Sequence, residues 1–335
     1  METAMVHAFP FSAGLPLAVG LLVCCTGVQA QPDPAAPSPY PRRAIKIVVP
    51  YSPGTSADAI ARRAAEQLSQ RLGQNTYVEN RSGASGIIGT AYAAGAAPDG
   101  HTLMVGPTTL VITPAFRPTP YDPVKSFVPV GQIAESAQVV VTGANTPAGN
   151  FKELVALLKA RPDDASYASP GIASTAHLYT TVLQNMVGVK MRHIPASGLN
   201  TALMDVVQGS VTMMIAPIEA ARPLVASGKL KAIAQTGGAR SPLMADVPTL
   251  EELGYPGYRL AVWVGLYAPA GTPAPVVARL NRELKAIFDA PAMRTALADT
   301  GFNVALGSPE DLGRLTRSEF DRWKQVIKAE GISPE

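Results

Sequence analysis

The chain has 335 residues, a formal net charge of +3, and 47% hydrophobic against 16% charged residues, a globular composition with room for two ordinary domains. The charge forms no basic run and aromatic residues make up only 6%, so neither the electrostatic stripe nor the stacking platform of a nucleic-acid binder is present. Both cysteines, Cys24 and Cys25, lie near the start of the chain, which leaves its body without a disulfide framework.

An apolar segment over residues 15–25 precedes Val28-Gln29-Ala30 and then Gln31. This is the pattern of a secretory signal peptide cleaved after Ala30, although no Lys or Arg stands before it. The segment is shorter than a membrane span, and Val23 occupies the place where lipid attachment at Cys24 would need a small residue. Residues 1–30 are therefore expected to be a signal peptide and the mature protein to be periplasmic. The proline-rich residues 31–41 are expected to be a flexible leader outside the fold.

Residues 45–49 form a β-branched run suited to a strand buried on both faces. Tyr51-Ser52-Pro53-Gly54-Thr55-Ser56 follows as a tight, hydroxyl-rich turn, and apolar residues then recur at helical spacing from Ala57 to Leu72, with Gly73 as the stop. A helix start leaves backbone N–H groups unpaired and carries partial positive charge, so this turn points to a carboxylate site. Thr55-x-x-Asp58 fits a capping box, which favours Asp58 as a helix cap over a ligand contact.

A strand over 76–79, a glycine-rich turn over 80–86, a helix over 87–95 and a strand over 101–105 ending in Gly106-Pro107-Thr108-Thr109 continue the series. Such alternation predicts a parallel sheet flanked by helices, with ligands bound beyond the carboxyl ends of the strands. The prolines from Pro114 to Pro123 predict an irregular excursion. After a strand at 139–141 and an amphipathic helix at 151–160, the pattern restarts: strand end 167–169, small-residue turn 170–174, helix 175–186, strand 190–194, turn Pro195-Ala196-Ser197-Gly198, helix 201–208 and strands 211–215 and 231–235. Two similar α/β units predict two lobes with facing strand ends and a cleft between them. Residues 260–268 return the chain to the first lobe, on which helices over 275–290 and 309–330 are expected to pack. The boundaries read as 42–138 plus 262–335 for lobe 1 and 139–261 for lobe 2.

His101, His177 and His193 are scattered without a partner at ligand spacing, so no metal site is expected. His177, just inside a helix, stands nearest to the cleft. Ser85 lacks a complete nucleophile elbow because Ile87 occupies the last glycine position. Gly83, Gly86 and Gly89 do not match a dinucleotide fingerprint, and close helix-to-strand packing is favoured for them, with Ser85 and Gly86 as alternative donors to a ligand. Ser52, Thr55, Ser56, Thr108, Thr109, Ser174 and Ser197 fall at successive strand ends, and uncharged donors of this kind suit reversible capture of a carboxylate.

Ile47-Val48-Val49-Pro50 with Pro53-Gly54 and Asp58, Glu79-Asn80-Arg81 through Gly86 and Gly89, Pro98-Asp99-Gly100-His101-Thr102-Leu103, Tyr121-Asp122-Pro123-Val124-Lys125-Ser126-Phe127, Asp246-Val247-Pro248-Thr249 and Leu266-Tyr267-Ala268-Pro269-Ala270-Gly271-Thr272-Pro273 occur in order along the chain. Together they resemble the Bug family, the TctC-like receptors of tripartite tricarboxylate transporters. The resemblance implies a two-lobed, type II-like periplasmic-binding-protein fold that closes on a small carboxylate and delivers it to membrane permease subunits. It implies no cofactor, no catalytic residue and a monomer. Its binding turns match residues 53–58, 106–109, 169–177 and 196–198, with Gly54, Thr55, Ser56, Asp58, Thr108, Thr109, Gly171, Ser174, His177, Ala196, Ser197 and Gly198 among them, and Tyr51, Ser52 and Ser85 join them as candidate ligand contacts. The chain departs from the family in those turns: Thr55-Ser56-Ala57 replaces a Gly-x-Thr stretch, and Pro170, Ile172 and Ala173 replace Ser, Asn and Gly. A sensor feeding a signalling receptor such as a kinase, or an exported α/β hydrolase, is the alternative expectation.

Overall fold

The computed structural model describes residues 40–333. The predicted signal peptide, its cleavage site, both cysteines and leader residues 31–39 lie outside them. Tyr40 and Pro41, read as leader, belong to the folded body. The Tyr40 hydroxyl donates to the Gly100 carbonyl at 2.7 Å, and its ring meets His101 edge-on at 5.2 Å.

The first strand–helix series forms as its patterning predicts. In chain order it comprises β1 (Ile45–Val49), α1 (Ser56–Leu72), β2 (Thr76–Asn80), a short 3-10 turn (Ala84–Gly86), α2 (Ile87–Ala94) and β3 (Thr102–Pro107). β1 pairs in parallel with β2 on one side and β3 on the other. Its side chains Ile45, Ile47 and Val49 pack with Ile60, Ala64 and Leu68 of α1, as a strand covered on both faces requires. Gly89 of α2 allows that helix to lie directly on the chain: a Cβ built there would collide with the Arg81 carbonyl and come within 2.7 Å of Pro50 Cα. Gly89→Ala is accordingly expected to cost about 1–3 kcal/mol through overpacking against backbone, read as a lower denaturation midpoint.

The next element and the first part of the one after it were not legible in the sequence, which showed only the strand at 139–141. α3 (Thr109–Phe116) contains Pro114, which lacks an N–H and hides an otherwise apolar helical run. β4 (Phe127–Gly143) is one strand of 17 residues, although Pro129, Gly131 and several polar side chains break its alternation and its register shifts there.

The remaining elements are α4 (Phe151–Ala160), β5 (Ser166–Ser169), α5 (Thr175–Val187), β6 (Arg192–Pro195), α6 (Leu199–Gln208), β7 (Met213–Pro217), α7 (Ile218–Ala226), β8 (Leu230–Gln235), β9 (Ala261–Pro269), α8 (Ala274–Phe288), α9 (Pro291–Ala298), β10 (Asn303–Val304) and α10 (Pro309–Ala329).

β4 carries the sheet from one half of the molecule to the other. From Phe127 to Ala137 it pairs antiparallel with β9, and from Gln138 to Gly143 it changes partners to β7 and β8. The strand order is β2-β1-β3-β9-β4-β7-β5-β6. The parallel expectation holds for β2-β1-β3 and for β6-β5-β7. β9 is antiparallel to both β3 and β4, because it enters from the other half without a crossover helix. The result is a curled sheet flanked by helices, its two parallel parts joined through β9 and β4. α10 packs on α3 and β4 and also reaches α5 of the second half, so it is not confined to the first lobe.

Candidate functional site

In the turn between β1 and α1, Thr55 caps the helix, its Oγ1 accepting the Asp58 N–H at 3.4 Å. The return bond of a capping box is displaced by one residue: Asp58 Oδ2 accepts from the Gly54 N–H at 3.0 Å rather than from that of Thr55. The same oxygen accepts from Arg62 Nε at 3.0 Å, and Oδ1 accepts from Asn80 Nδ2 at 2.8 Å. Burial pushes the Asp58 carboxyl up, but Arg62, the Gly54 amide and Asn80 outweigh it and hold it below the usual carboxylate range. With 3% of its surface exposed and both oxygens engaged, Asp58 organises the turn.

Tyr51 ties this turn to two others. Its hydroxyl is hydrogen-bonded to Thr109 Oγ1, and it lies so close to Gly86 that a Cβ there would stand 2.8 Å from the Tyr51 oxygen. Thr108 is committed to the sheet, for its Oγ1 accepts from the Trp263 N–H at 2.8 Å and the residue is 1% exposed. Ala84 and Ser85 both take left-handed conformations, with φ of 48° and 55°. Strained non-glycine backbone of this kind concentrates at functional sites, and it presents Ser85 to the cleft.

In the second half, the turn after β5 is built around a ring stack absent from the sequence reading. His177 and His193 lie parallel at 4.1 Å, and Tyr167 stacks on His193 at 4.9 Å. His177 Nδ1 accepts the Ala173 N–H at 3.0 Å, and His193 Nε2 is 2.6 Å from Ser169 Oγ. These bonds hold Ala173 at a φ of 58°. Ser174 caps α5, its Oγ accepting the His177 N–H at 3.3 Å and donating to the Gly171 carbonyl at 2.7 Å. Burial, and then the neighbouring His193, lower the His177 pKa to about 4. His177 and His193, which spacing left as scattered, thus form one cluster with Tyr167 behind the turn, whereas His101 lies apart beside Tyr40.

A cavity of ≈ 220 Å³ lies between these turns. Ser85, Thr109, Ile112, Thr113, Phe116 and Arg117 line it from the first half, and Pro170, Gly171, Ile172, Ala173 and Ser174 from the second. Of the residues expected from the sequence, Ser85, Thr109, Gly171 and Ser174 meet there. Tyr51 and His177 stand one hydrogen bond behind the lining, through Thr109 and Ala173. Ser52, Gly54, Thr55 and Ser56 belong to the adjacent α1 turn and are outside the lining. So are Ala196, Ser197 and Gly198, where Ser197 Oγ pairs with Thr201 Oγ1 at 3.3 Å.

The residues missed from the sequence, Ile112, Thr113, Phe116 and Arg117, all come with α3, the helix concealed by Pro114. Hydroxyls and the starts of α3 and α5 converge on the cavity, a combination that favours an anion. A larger cavity of ≈ 360 Å³ in the second half is lined by Leu157, Arg161, Val207 and Gly209, at the C-terminal ends of α4 and α6, where the helix dipole disfavours a carboxylate. Among the described residues no group of three or more His, Cys, Asp and Glu could hold a metal, and no helix is long and apolar enough to cross a membrane.

The model of the tripartite tricarboxylate transporter family receptor matches residues 60–332. A UPF0065 protein encoded in the tcbD-tcbE intergenic region of Pseudomonas sp. (strain P51) is 38% identical over 293 residues, 86% of each chain. The periplasmic binding protein BugD is similar in structure with a TM-score of 0.69 at 33% identity, over 88% of this chain and 100% of BugD. R. palustris Rpa4515, solved with adipate, gives a TM-score of 0.73 at 33% identity, over 88% of this chain and 100% of that one. The order of motifs, the two-lobed sheet and these matches agree, and the chain belongs to the tripartite tricarboxylate transporter receptor family.

Proposed function

We propose that this chain is a periplasmic solute-binding receptor, exported by a signal peptide cleaved after Ala30, that captures a small carboxylate and delivers it to membrane permease subunits. In this reading residues 42–138 with 262–335 form one lobe and residues 139–261 the other. The ligand is held as a monomer's cargo, without a cofactor and without chemistry. The observation that carries the reading is the cavity walled by the starts of α3 and α5, with the hydroxyls of Ser85, Thr109 and Thr113 in its lining. Adipate in the R. palustris relative supports a carboxylate in particular.

A thermal-shift panel of dicarboxylates, aromatic acids and amino acids tests it. A ligand at about 100 times its dissociation constant is expected to add roughly 2.7 kcal/mol to the folded state. Ile172→Trp is expected to fill the cavity and remove that shift while leaving the ligand-free midpoint unchanged, because Ile172 is 38% exposed. An unresponsive wild-type protein, or an unimpaired Ile172→Trp variant, would count against the site.

A further inference from the structure

Two of the hydroxyls at the cavity have no proton to offer. Ser174 Oγ donates to the Gly171 carbonyl at 2.7 Å, and Thr108 Oγ1, behind the lining, is engaged with both backbone groups of Trp263. Thr109 differs, because its partner is another hydroxyl, that of Tyr51. A hydroxyl pair uses one proton for its own bond and leaves the other free, so the member that donates within the pair decides what the cavity meets.

Chemistry and position assign the donor. A phenol is far more acidic than an aliphatic alcohol and is the better donor, while the alcohol oxygen is the better acceptor. Burial raises the Tyr51 pKa, which keeps the phenol protonated and able to donate. Tyr51 stands outside the lining and Thr109 within it, and among the described residues the Thr109 hydroxyl has no second side-chain partner. Tyr51 is itself held in place, for its carbonyl accepts from Asn80 Nδ2 at 3.1 Å and its hydroxyl lies against Gly86.

Resting on the carboxylate reading above, we infer that Tyr51 is a positioning residue: its hydroxyl donates to Thr109 Oγ1 and so turns the Thr109 proton toward the anion in the cavity. The chain of bonds runs from phenol to alcohol to carboxylate, each polarising the next. Tyr51 touches no ligand and acts only through Thr109. Without the phenol the Thr109 hydroxyl rotates freely, and the anion loses one oriented donor while the start of α3 still faces it.

Calorimetric titration of the full-length purified protein with adipate, benzoate and glutamate tests the inference, each variant being followed with the acid that wild type binds most tightly. Tyr51→Phe keeps the ring against Gly86 and removes only the hydroxyl. It is expected to weaken binding about two- to tenfold, the range for one net hydrogen bond. Thr109→Val is expected to weaken binding at least as much, and Tyr51→Phe added to Thr109→Val to weaken it no further, because no hydroxyl remains to be oriented. Thr109→Ser, which keeps the hydroxyl, is expected to keep the sensitivity to Tyr51→Phe. A purely structural Tyr51 would lower the denaturation midpoint of Tyr51→Phe and leave the affinity of the folded protein unchanged. That result overturns the inference, as do an unimpaired Thr109→Val variant and a loss from Tyr51→Phe that is equal with and without Thr109→Val; each leaves the carboxylate site standing. Binding of none of the three acids by wild type overturns both.

Discussion

Replacing Trp323 by Ala is expected to destabilise the protein by about 3–5 kcal/mol, the range for emptying a large buried aromatic site. Trp323 is fully buried on α10 and stacks on Tyr179 of α5, with centroids 5.6 Å apart and planes 11° from parallel. Tyr179 is itself fixed from two directions: its hydroxyl donates to the Ala261 carbonyl at 2.9 Å, and its carbonyl accepts from the Tyr258 hydroxyl at 2.6 Å. The indole N–H donates to Glu319 Oε2 at 3.1 Å. Burial raises the Glu319 carboxyl pKa, and with the indole gone only Arg322, at 2.9 Å, would still meet its charge. The variant therefore loses packing and leaves a buried acceptor short of a donor. Trp323→Phe keeps the stack and is expected to lose about 1–2 kcal/mol for the hydrogen bond and reduced volume. Denaturant midpoints at constant m would report both. A loss below about 1 kcal/mol for Trp323→Ala would show that α10 is not held at this point.

Stability is expected to fall by about 3 kcal/mol as the pH is lowered from 6.5 to 4, through His177 alone. Its folded pKa, about 4, lies below the ordinary 6.5. The folded state therefore binds the proton less well than the unfolded chain, and the contribution is complete above 6.5 and lost as the pH falls through 4. Geometry supplies the cause. Nδ1 must stay unprotonated to accept the Ala173 N–H, and His193, whose own pKa is lowered by burial, lies parallel at 4.1 Å. Tyr167 completes the stack, its hydroxyl pKa pushed up to about 12 by burial. Carboxylates held below their usual range, among them Asp58, Glu79 and Asp99, also lose their contributions in acid. The informative comparison is therefore with His177→Asn, whose side-chain oxygen can accept from Ala173 without titrating. Urea midpoints for that variant are expected to slope less between pH 4 and 6.5. Equal slopes would remove His177 as the source. Since Ala173 lines the cavity, ligand affinity is expected to decline over the same range.

Reading the chain recovered what depends on neighbours a few residues apart. The buried run of β1, the Thr55 cap with Gly73 as the stop of α1, the Ser174 turn and the close approach of α2 at Gly89 are all local patterns. Each arises because a helix turn or a strand repeat brings those positions together whatever the rest of the chain does. Helices α7 and α9 also went unread, and two of the failures are equally local in origin. Pro114 hid α3, and Pro129 with Gly131 hid the first part of β4. A breaker inside an element is outweighed only by packing that a single stretch does not reveal.

Which of the predicted turns adjoin the cavity was undecided by sequence for the same reason. From sequence, the helix start at Asp58 was the strongest anion signal, and every hydroxyl turn had an equal claim to join it. Tertiary contacts decided among them. They saturated Asp58 with Gly54, Arg62 and Asn80, joined Tyr51 to Thr109 across 58 positions, and stacked His177 on His193. They also placed Arg117 in the lining of the cavity. A chain's alternation of strands and helices follows from short-range periodicity, and so the fold class was legible in it. Which turns face one another, and what lies between them, depends on β4 crossing from one half to the other and on pairings between distant residues, which leave no period in the sequence.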